Sequence, residues 1–341
     1  MLDNTAMPPA SPTHPRDALF AEGELPPELP VCDHYAGVEE RMRKSLELQI
    51  ELGPVFDVTL DNEDGAPVGG ELEHAHLIAA LLASPANRFG RVGVRVLPLD
   101  HPRFEDVLGI VLRASKLPAY LMLPKAGSVA DIDAAGAAAD AAGGAGVPLH
   151  ALIETHGALR EVHAIAGHAR IESLSFGLMD FVSAHRGAIP QTAMGVPGQF
   201  EHPLVVRAKL EISAACHAAG KIPSHCVVTE FKHARAIQDA ATKAARLFGY
   251  TRMWSIHPSQ VKPIVDAFSP TTAEVDLAIE IIQAGQAANW APIQHHGTLH
   301  DRASYRYFWH VIERAHRTSG ARGSQLPAEV RDAFFGDAGI C

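Results

Sequence analysis

Residues 148–180 read PLHALIETHGALREVHAIAGHARIESLSFGLMD, and they hold two apolar runs, 149–153 and 173–176. Glu154 follows the first run and Asp180 follows the second. Neither run alternates apolar with polar, which is the pattern of a parallel strand buried on both faces. Working outward, similar short runs recur at 29–32, 55–60, 91–96 and 119–123 on one side, and at 222–228 and 253–256 on the other.

Segments of helical period lie between the runs. Residues 71–84 place Leu72, Ala75, Ala79 and Leu82 on one stripe, and 104–114 do the same with Phe104, Val107, Leu108 and Val111. A third stripe, over 231–248, carries Phe231, Ala234, Ile237, Ala241, Ala244 and Leu247. The Ala/Gly stretch 134–146 reads as a small-residue helix started by Ser128 and stopped by Gly143 and Gly144. A later helix over 271–288 opens with Thr271 and Glu274 at capping-box spacing. Eight strand-then-helix units predict an α/β chain folded as one closed (β/α)8 barrel, a TIM barrel, over residues 29–289. Residues 1–28, rich in proline and polar side chains, are expected to be a loose, disordered arm. Residues 290–341 are expected to be a C-terminal helical extension, serving as a lid or an oligomer contact.

The composition narrows the partners. The 341 residues are 47% hydrophobic and 20% charged, enough for a large core. A net charge of −10 disfavours nucleic acid and anionic membranes as partners. Four cysteines without C-x-x-C spacing, and no basic start followed by an apolar run, predict a cytoplasmic protein. The chain shows no G-x-S-x-G, no P-loop and no G-x-G-x-x-G after a strand, which disfavours hydrolase, NTPase and nicotinamide chemistry.

The polar residues cluster at strand ends. Asp61, Glu63 and Asp64 follow the second run, Arg95 closes the third, Lys125 follows the fourth, and His257 follows the last. With Glu154 and Asp180 they would converge on the carboxyl face of a barrel, where such enzymes build their active sites. Glu154 and Asp180, each at the edge of the core, need either a cation or a nearby arginine such as Arg95. Two carboxylates with waters and substrate oxygens suit Mg²⁺, or Mn²⁺. Zinc is disfavoured, because His74 and His76 are two residues apart on a helix and His295, His296 and His300 read as solvated tail residues.

Six runs occur in order: LDNEDGAP (60–67), VGVRV (92–96), LMLPKAGS (121–128), PLHALIETHGAL (148–159), LSFGLMDF (174–181) and WSIHPSQVKPI (254–264). Together they resemble the citrate lyase β-subunit/malyl-CoA lyase branch of the HpcH/HpaI aldolases. The resemblance implies a (β/α)8 barrel, Mg²⁺ dependence and assembly as a homotrimer or homohexamer. It places the metal on Glu154 and Asp180, an arginine on Arg95, an acidic pair on Glu63 and Asp64, and a lysine on Lys125. In relatives of this type a C-terminal segment from a neighbouring subunit brings an Asp to the substrate, and Asp301 is the nearest match. Capping the helix that follows is the alternative role of Asp301. Three stretches depart from the family pattern: LPVCDHYAG (29–37), IPSHCVV (222–228) with Ser224 and His225, and the tail 290–320.

The expected activity is that of a carbon–carbon lyase or aldolase, which cleaves or forms a 2-hydroxy acid or 3-hydroxyacyl thioester through a metal-stabilised enolate. Its partner is a small carboxylic acid or a CoA thioester. Arg95 would steady the enolate, while Gly177, Leu178, Met179 and His257 would bind the substrate. Two other readings stay open: a Schiff-base aldolase using Lys125 as nucleophile, and a non-catalytic barrel that binds a metabolite.

Overall fold

Eight strands run parallel and close on one another in chain order. They are β1 (Cys32–Ala36), β2 (Phe56–Asp61), β3 (Val92–Arg95), β4 (Leu121–Leu123), β5 (Leu149–Ile153), β6 (Ile171–Phe176), β7 (Ile222–His225) and β8 (Arg252–Ser255). This is the expected (β/α)8 barrel. The computed structural model describes residues 13–21, 23–196, 198–320 and 325–336. Seven strands overlap the apolar runs closely, but β1 begins only where its run, 29–32, ends. Its residues are CDHYA, polar on the face turned into the barrel, so an apolar pattern could not mark it. The helix expected over 231–248 is shorter, Ala234–Leu247, and Phe231 stays outside it and exposed.

The barrel interior is layered. At the amino ends lies a buried polar layer. Arg252 Nη1 donates to Asp57 Oδ2 at 2.5 Å, and its Nη2 lies 3.2 Å from Asp33 Oδ2. Thr59 Oγ1 and Tyr120 Oη both donate to Asp33 Oδ1, at 2.7 and 3.0 Å. Burial opposes the charge of Arg252, but Asp57 and Asp33 outweigh it and hold the guanidinium charged. Gly93 makes room for this layer, because a Cβ there would stand 2.2 Å from the Tyr120 ring. Above it Tyr35, Met122, Leu152, Val227 and Trp254 form an apolar plug, with Tyr35 stacked on Trp254 at 4.4 Å. The outward residues of the same strands, such as Phe56, Val58 and Leu60 of β2, enter the core shared with the surrounding helices. The carboxyl ends of β2, β3, β5 and β6 are thereby fixed above a filled barrel.

Among the described residues, a second compact unit comprises those up to Leu25 together with those from Ser269 to Gly336, while the barrel unit takes Pro26–Phe268. The expected barrel boundary at 289 therefore moves. The helix Thr272–Ala287, with the predicted Thr271/Glu274 capping box, buries Val275, Ala278, Ile281 and Ile282 in the second unit's core, with Tyr305, Trp309 and Ile312. The helix following β8 is Pro258–Phe268. The expected loose arm also differs: Pro15–Leu19 is a helix, with Leu19 fully buried and Arg16 bound to Glu313 at 2.7 Å. Residues 1–12 lie outside the described residues.

In the C-terminal aromatic run, Tyr305 and Trp309 are buried one helical turn apart on the helix Arg302–Arg317. Tyr307, on the opposite face, is 59% exposed, so the run does not pack as a block. Among the described residues, no helix is long and apolar enough to cross a membrane.

Candidate active site

The register sets Asp61, last in β2, beside Arg95, last in β3. The guanidinium forks onto this carboxylate, Nε to Oδ1 at 2.7 Å and Nη2 to Oδ2 at 2.5 Å. Its remaining nitrogen, Nη1, lies 3.0 Å from Glu63 Oε2. The other oxygen of Glu63 accepts from the Lys125 ammonium, which stands 3.5 Å from Asp64 Oδ1. Tyr35 places its ring 5.5 Å from the Arg95 guanidinium carbon. Burial works against the Arg95 charge, but Asp61 and Glu63 overcome it and hold the group ionised. Desolvation lowers the affinity of Lys125 for its proton, but the hydrogen bond and charge of Glu63, with Asp64 and Asp180, outweigh it and raise the pKa.

Lys125 sits in the left-handed region, at φ 54°, directly after Pro124. This turn aims its backbone N–H at Glu154 Oε1, 2.7 Å away. Glu154 itself follows β5 and is only 4% exposed. Its pKa is raised from 4.5 to about 7, first by burial and then by the like charge of Asp180. Asp180 occupies the first turn of the helix Leu178–Ser183, which begins as soon as β6 ends. Neither Glu154 nor Asp180 forms an ion pair among the described residues. Arg95, the partner that could have made them a structural pair, is committed to Asp61 and Glu63.

Two neighbouring acids, one of them buried and neither in an ion pair among the described residues, fit a hard divalent ion bound through oxygen. Gly177 supplies a second mark of the same cradle. A Cβ on it would lie 2.1 Å from Glu154 Oε2 and 2.5 Å from Glu154 Cβ, so only glycine lets β6 leave the barrel against this carboxylate. Gly177→Ala is expected to displace Glu154, cost about 1–3 kcal/mol of stability through overpacking, and weaken Mn²⁺ binding. Urea unfolding and a calorimetric Mn²⁺ titration check this, and unchanged Mn²⁺ affinity would remove Gly177 from the site.

The structure thus brings Arg95, Glu63, Asp64, Lys125, Glu154, Asp180 and Gly177 into one cluster. Leu178 is buried and Met179 partly so, both turned into apolar packing, so this turn can offer only its backbone to a ligand. His257 stands apart from the cluster. It lines a cavity of about 380 Å³ with His34, Tyr35, Arg41, Lys44 and Phe231. There its ring stacks on Phe231 at 5.0 Å, and its Nδ1 lies 2.8 Å from Ser259 Oγ. His34 is driven down to a pKa of about 4, by burial first and the neighbouring His257 second, and is therefore neutral at physiological pH.

Asp301 caps the helix Arg302–Arg317 in its own unit, accepting from the N–H groups of Ala303 and Ser304 at 3.0 and 3.3 Å. In the atypical seventh strand, His225 is fully buried against Phe200 and Tyr250 rather than turned to the barrel mouth. Sequence reasoning named Asp61 without a role and missed Tyr35, Arg41 and Lys44. Strand register was the signal for Asp61, because it makes that residue the neighbour of Arg95.

Comparison with known proteins shows the family. Residues 57–258 match the HpcH/HpaI aldolase/citrate lyase family. The L-malyl-CoA/beta-methylmalyl-CoA lyase of Cereibacter sphaeroides is 28% identical over 251 residues, covering 68% of this chain and 77% of that enzyme. A crystal structure of a citrate lyase from Burkholderia xenovorans is 52% identical, with a TM-score of 0.81, over 95% of this chain and 100% of the other. The fold is also that of protein CitE from Mycobacterium tuberculosis, solved with magnesium, acetoacetate and coenzyme A. That chain is 20% identical, with a TM-score of 0.66, over 84% of this chain and 98% of the other. With its barrel, its strand-end acids and these likenesses together, the chain belongs to the HpcH/HpaI aldolase/citrate lyase family and is a carbon–carbon lyase.

Proposed function

We propose that this lyase depends on Mg²⁺, or Mn²⁺ in its place, and cleaves or forms a small 3-hydroxyacyl-CoA of the malyl or citramalyl type. The observation that carries this reading is the pair Glu154 and Asp180, neither in an ion pair among the described residues, at the carboxyl end of the barrel beside an arginine already held by Asp61 and Glu63. Glu154 and Asp180 would hold the ion, which when bound supplies Lewis-acid polarisation of substrate oxygens.

The chain's own residues supply the rest. In cleavage the carbon–carbon bond breaks, the substrate hydroxyl becomes a carbonyl and gives its proton to water, and the bond electrons pass to the acyl fragment as an enolate, which takes a proton back from water. Arg95, fixed by its fork on Asp61, meets that negative charge without having to reorganise. Glu63 ties Arg95 and Lys125 together, and Asp64 stands beside the Lys125 ammonium. The turn at Gly177 gives the substrate carboxylate the backbone N–H groups of Leu178 and Met179, since the Gly177 N–H is already taken by the Ile153 carbonyl at 3.1 Å. The cavity beside Tyr35 supports the thioester. Arg41 and Lys44 suit the phosphates of coenzyme A, and the Phe231–His257 stack suits its adenine ring. Lys125 stays charged among its carboxylates, which is the opposite of what a Schiff-base nucleophile requires.

The test is a panel of malyl-CoA, citramalyl-CoA, β-methylmalyl-CoA and free 4-hydroxy-2-oxo acids, each assayed with Mg²⁺ and with EDTA. Turnover of a thioester that EDTA abolishes and Mg²⁺ restores is expected. Turnover confined to the free acids would overturn the thioester, and EDTA-resistant turnover trapped by borohydride would return the chemistry to Lys125. Asp301→Asn keeps the helix cap, so a fall in turnover in that variant would give Asp301 a part in the reaction.

A further inference from the structure

The second unit carries a group of side chains that the lyase reaction does not use. After the helix Thr272–Ala287 the chain forms a short antiparallel hairpin, β9 (Ile293–His295) and β10 (Thr298–His300), in which His295 pairs with Thr298. The loop between them is His296-Gly297, with φ of 46° and 80°, the two left-handed residues of a type I′ turn. Neighbouring residues of an extended strand point to opposite faces. Here the left-handed backbone at His296 swings its imidazole back beside that of His295, with ring centroids 4.2 Å apart. Both rings then face Glu280 on the helix, whose Oε2 lies 2.9 Å from His295 Nε2 and 3.7 Å from His296 Nε2.

We infer that Glu280, His295 and His296 form a binding site for a divalent transition ion of the zinc class. All three donor atoms lie within 4.8 Å of one another. A tetrahedral ion with bonds of about 2.0–2.1 Å sets its ligand atoms about 3.3 Å apart. The two separations from Glu280 bracket that value and the two imidazole donors lie within 4.8 Å of each other, so side-chain adjustments alone would admit the ion. Two imidazoles and one carboxylate select against Mg²⁺ and Ca²⁺, which prefer all-oxygen shells, and leave the fourth position to water.

The supports are rigid. The helix is fixed by its capping box and by the burial of Val275, Ile281 and Ile282, and the hairpin by its turn. Two rungs along the hairpin, on the face of His295, stands a third imidazole. His300 has its ring centroid 6.4 Å from that of His295, and its Nδ1 is buried with no hydrogen-bond partner among the described residues. The ion would clip the hairpin to the helix and stabilise the folded unit by mass action. In the sequence these histidines read as solvated, because Glu280 is fifteen residues upstream of His295. Only the fold brings it to them.

The test uses the full-length, untagged chain with Mg²⁺ saturating. Zn²⁺ is titrated calorimetrically against a competing chelator, and Co²⁺ is followed by its visible absorption. Wild type should bind one equivalent of Zn²⁺ far more tightly than its scattered histidines do, with the intense absorption of four-coordinate Co²⁺. His296→Asn keeps a residue that tolerates the left-handed turn but removes the imidazole. It should weaken that equivalent by at least about 100-fold, since losing a ligand must cost no less than losing a partner outside the coordination shell. Glu280→Gln should do the same, and lyase turnover and circular dichroism should be unchanged in both variants. A tight equivalent that survives both substitutions, or a wild type that binds no more tightly than the variants, overturns the site.

Discussion

Glu154→Gln is expected to lower kcat/KM by about 10³-fold or more, and in the metal-free protein to raise stability. The two effects have one cause. A carboxylate at this position exists to face a cation, and the loss of that cation removes several kcal/mol of transition-state stabilisation. Without the cation the same carboxylate is a burden, because burial and Asp180 disfavour its charge. The sign follows from linkage. The glutamate titrates near 4.5 when unfolded and near 7 when folded, so the folded state binds its proton more tightly. The penalty is therefore absent below pH 4.5, grows between pH 4.5 and 7, and is complete above 7. Glutamine avoids it, and its amide oxygen can still accept from the Lys125 N–H. In EDTA at pH 8 the variant should be more stable by about 1–3 kcal/mol, and at pH 4.5 the two proteins should be alike. Urea unfolding at the two pH values measures this. A variant less stable than wild type at pH 8 would mean that Glu154 is a structural anchor. Asp180→Asn should show the same loss of turnover.

Arg95→Lys is the second large effect. Lysine keeps the positive charge but loses the planar fork, so Asp61 and Glu63 can no longer both be served with their present geometry. The charge then stands in the wrong place for the developing oxyanion, and removing one such donor typically costs 10²–10³-fold in rate. A fall of about 10²-fold or more in kcat, larger than any change in KM, is the expected result. Asp61→Asn should fall in the same sense, because Asp61 acts on the substrate only through Arg95. If Arg95→Lys retained kcat within about threefold of wild type, Arg95 would be a structural residue and the enolate would need another partner.

The barrel was readable in the sequence because parallel strands covered on both faces write themselves as short apolar runs, and Leu149–Ile153 was legible to the residue. The strand that failed, β1, carries Asp33 into the polar layer beneath the plug, where its partners Arg252, on β8, and Tyr120, just before β4, are far from it in the chain. Its polarity is satisfied only in the closed barrel, so no local pattern announces it. The site divides in the same way. Glu154 and Asp180 stood out because each follows an apolar strand. Asp61 did not, since its role depends on β2–β3 register, and Arg41 and Lys44 did not, since they lie on the helix Glu39–Leu52 and only the closure of β8 on β1 brings His257 to them. The C-terminal unit was the least legible. Its core gathers Leu19, Val275, Trp309 and Ile312 from segments far apart in the chain.

The central claim is that Glu154 and Asp180 hold the divalent ion, and anomalous diffraction from crystals soaked in Mn²⁺ tests it most directly. A single strong peak bound by both carboxylates, at the carboxyl ends of β5 and β6, is the predicted result. A barrel mouth without a peak at this pair, in crystals of protein whose turnover Mn²⁺ supports, would contradict it.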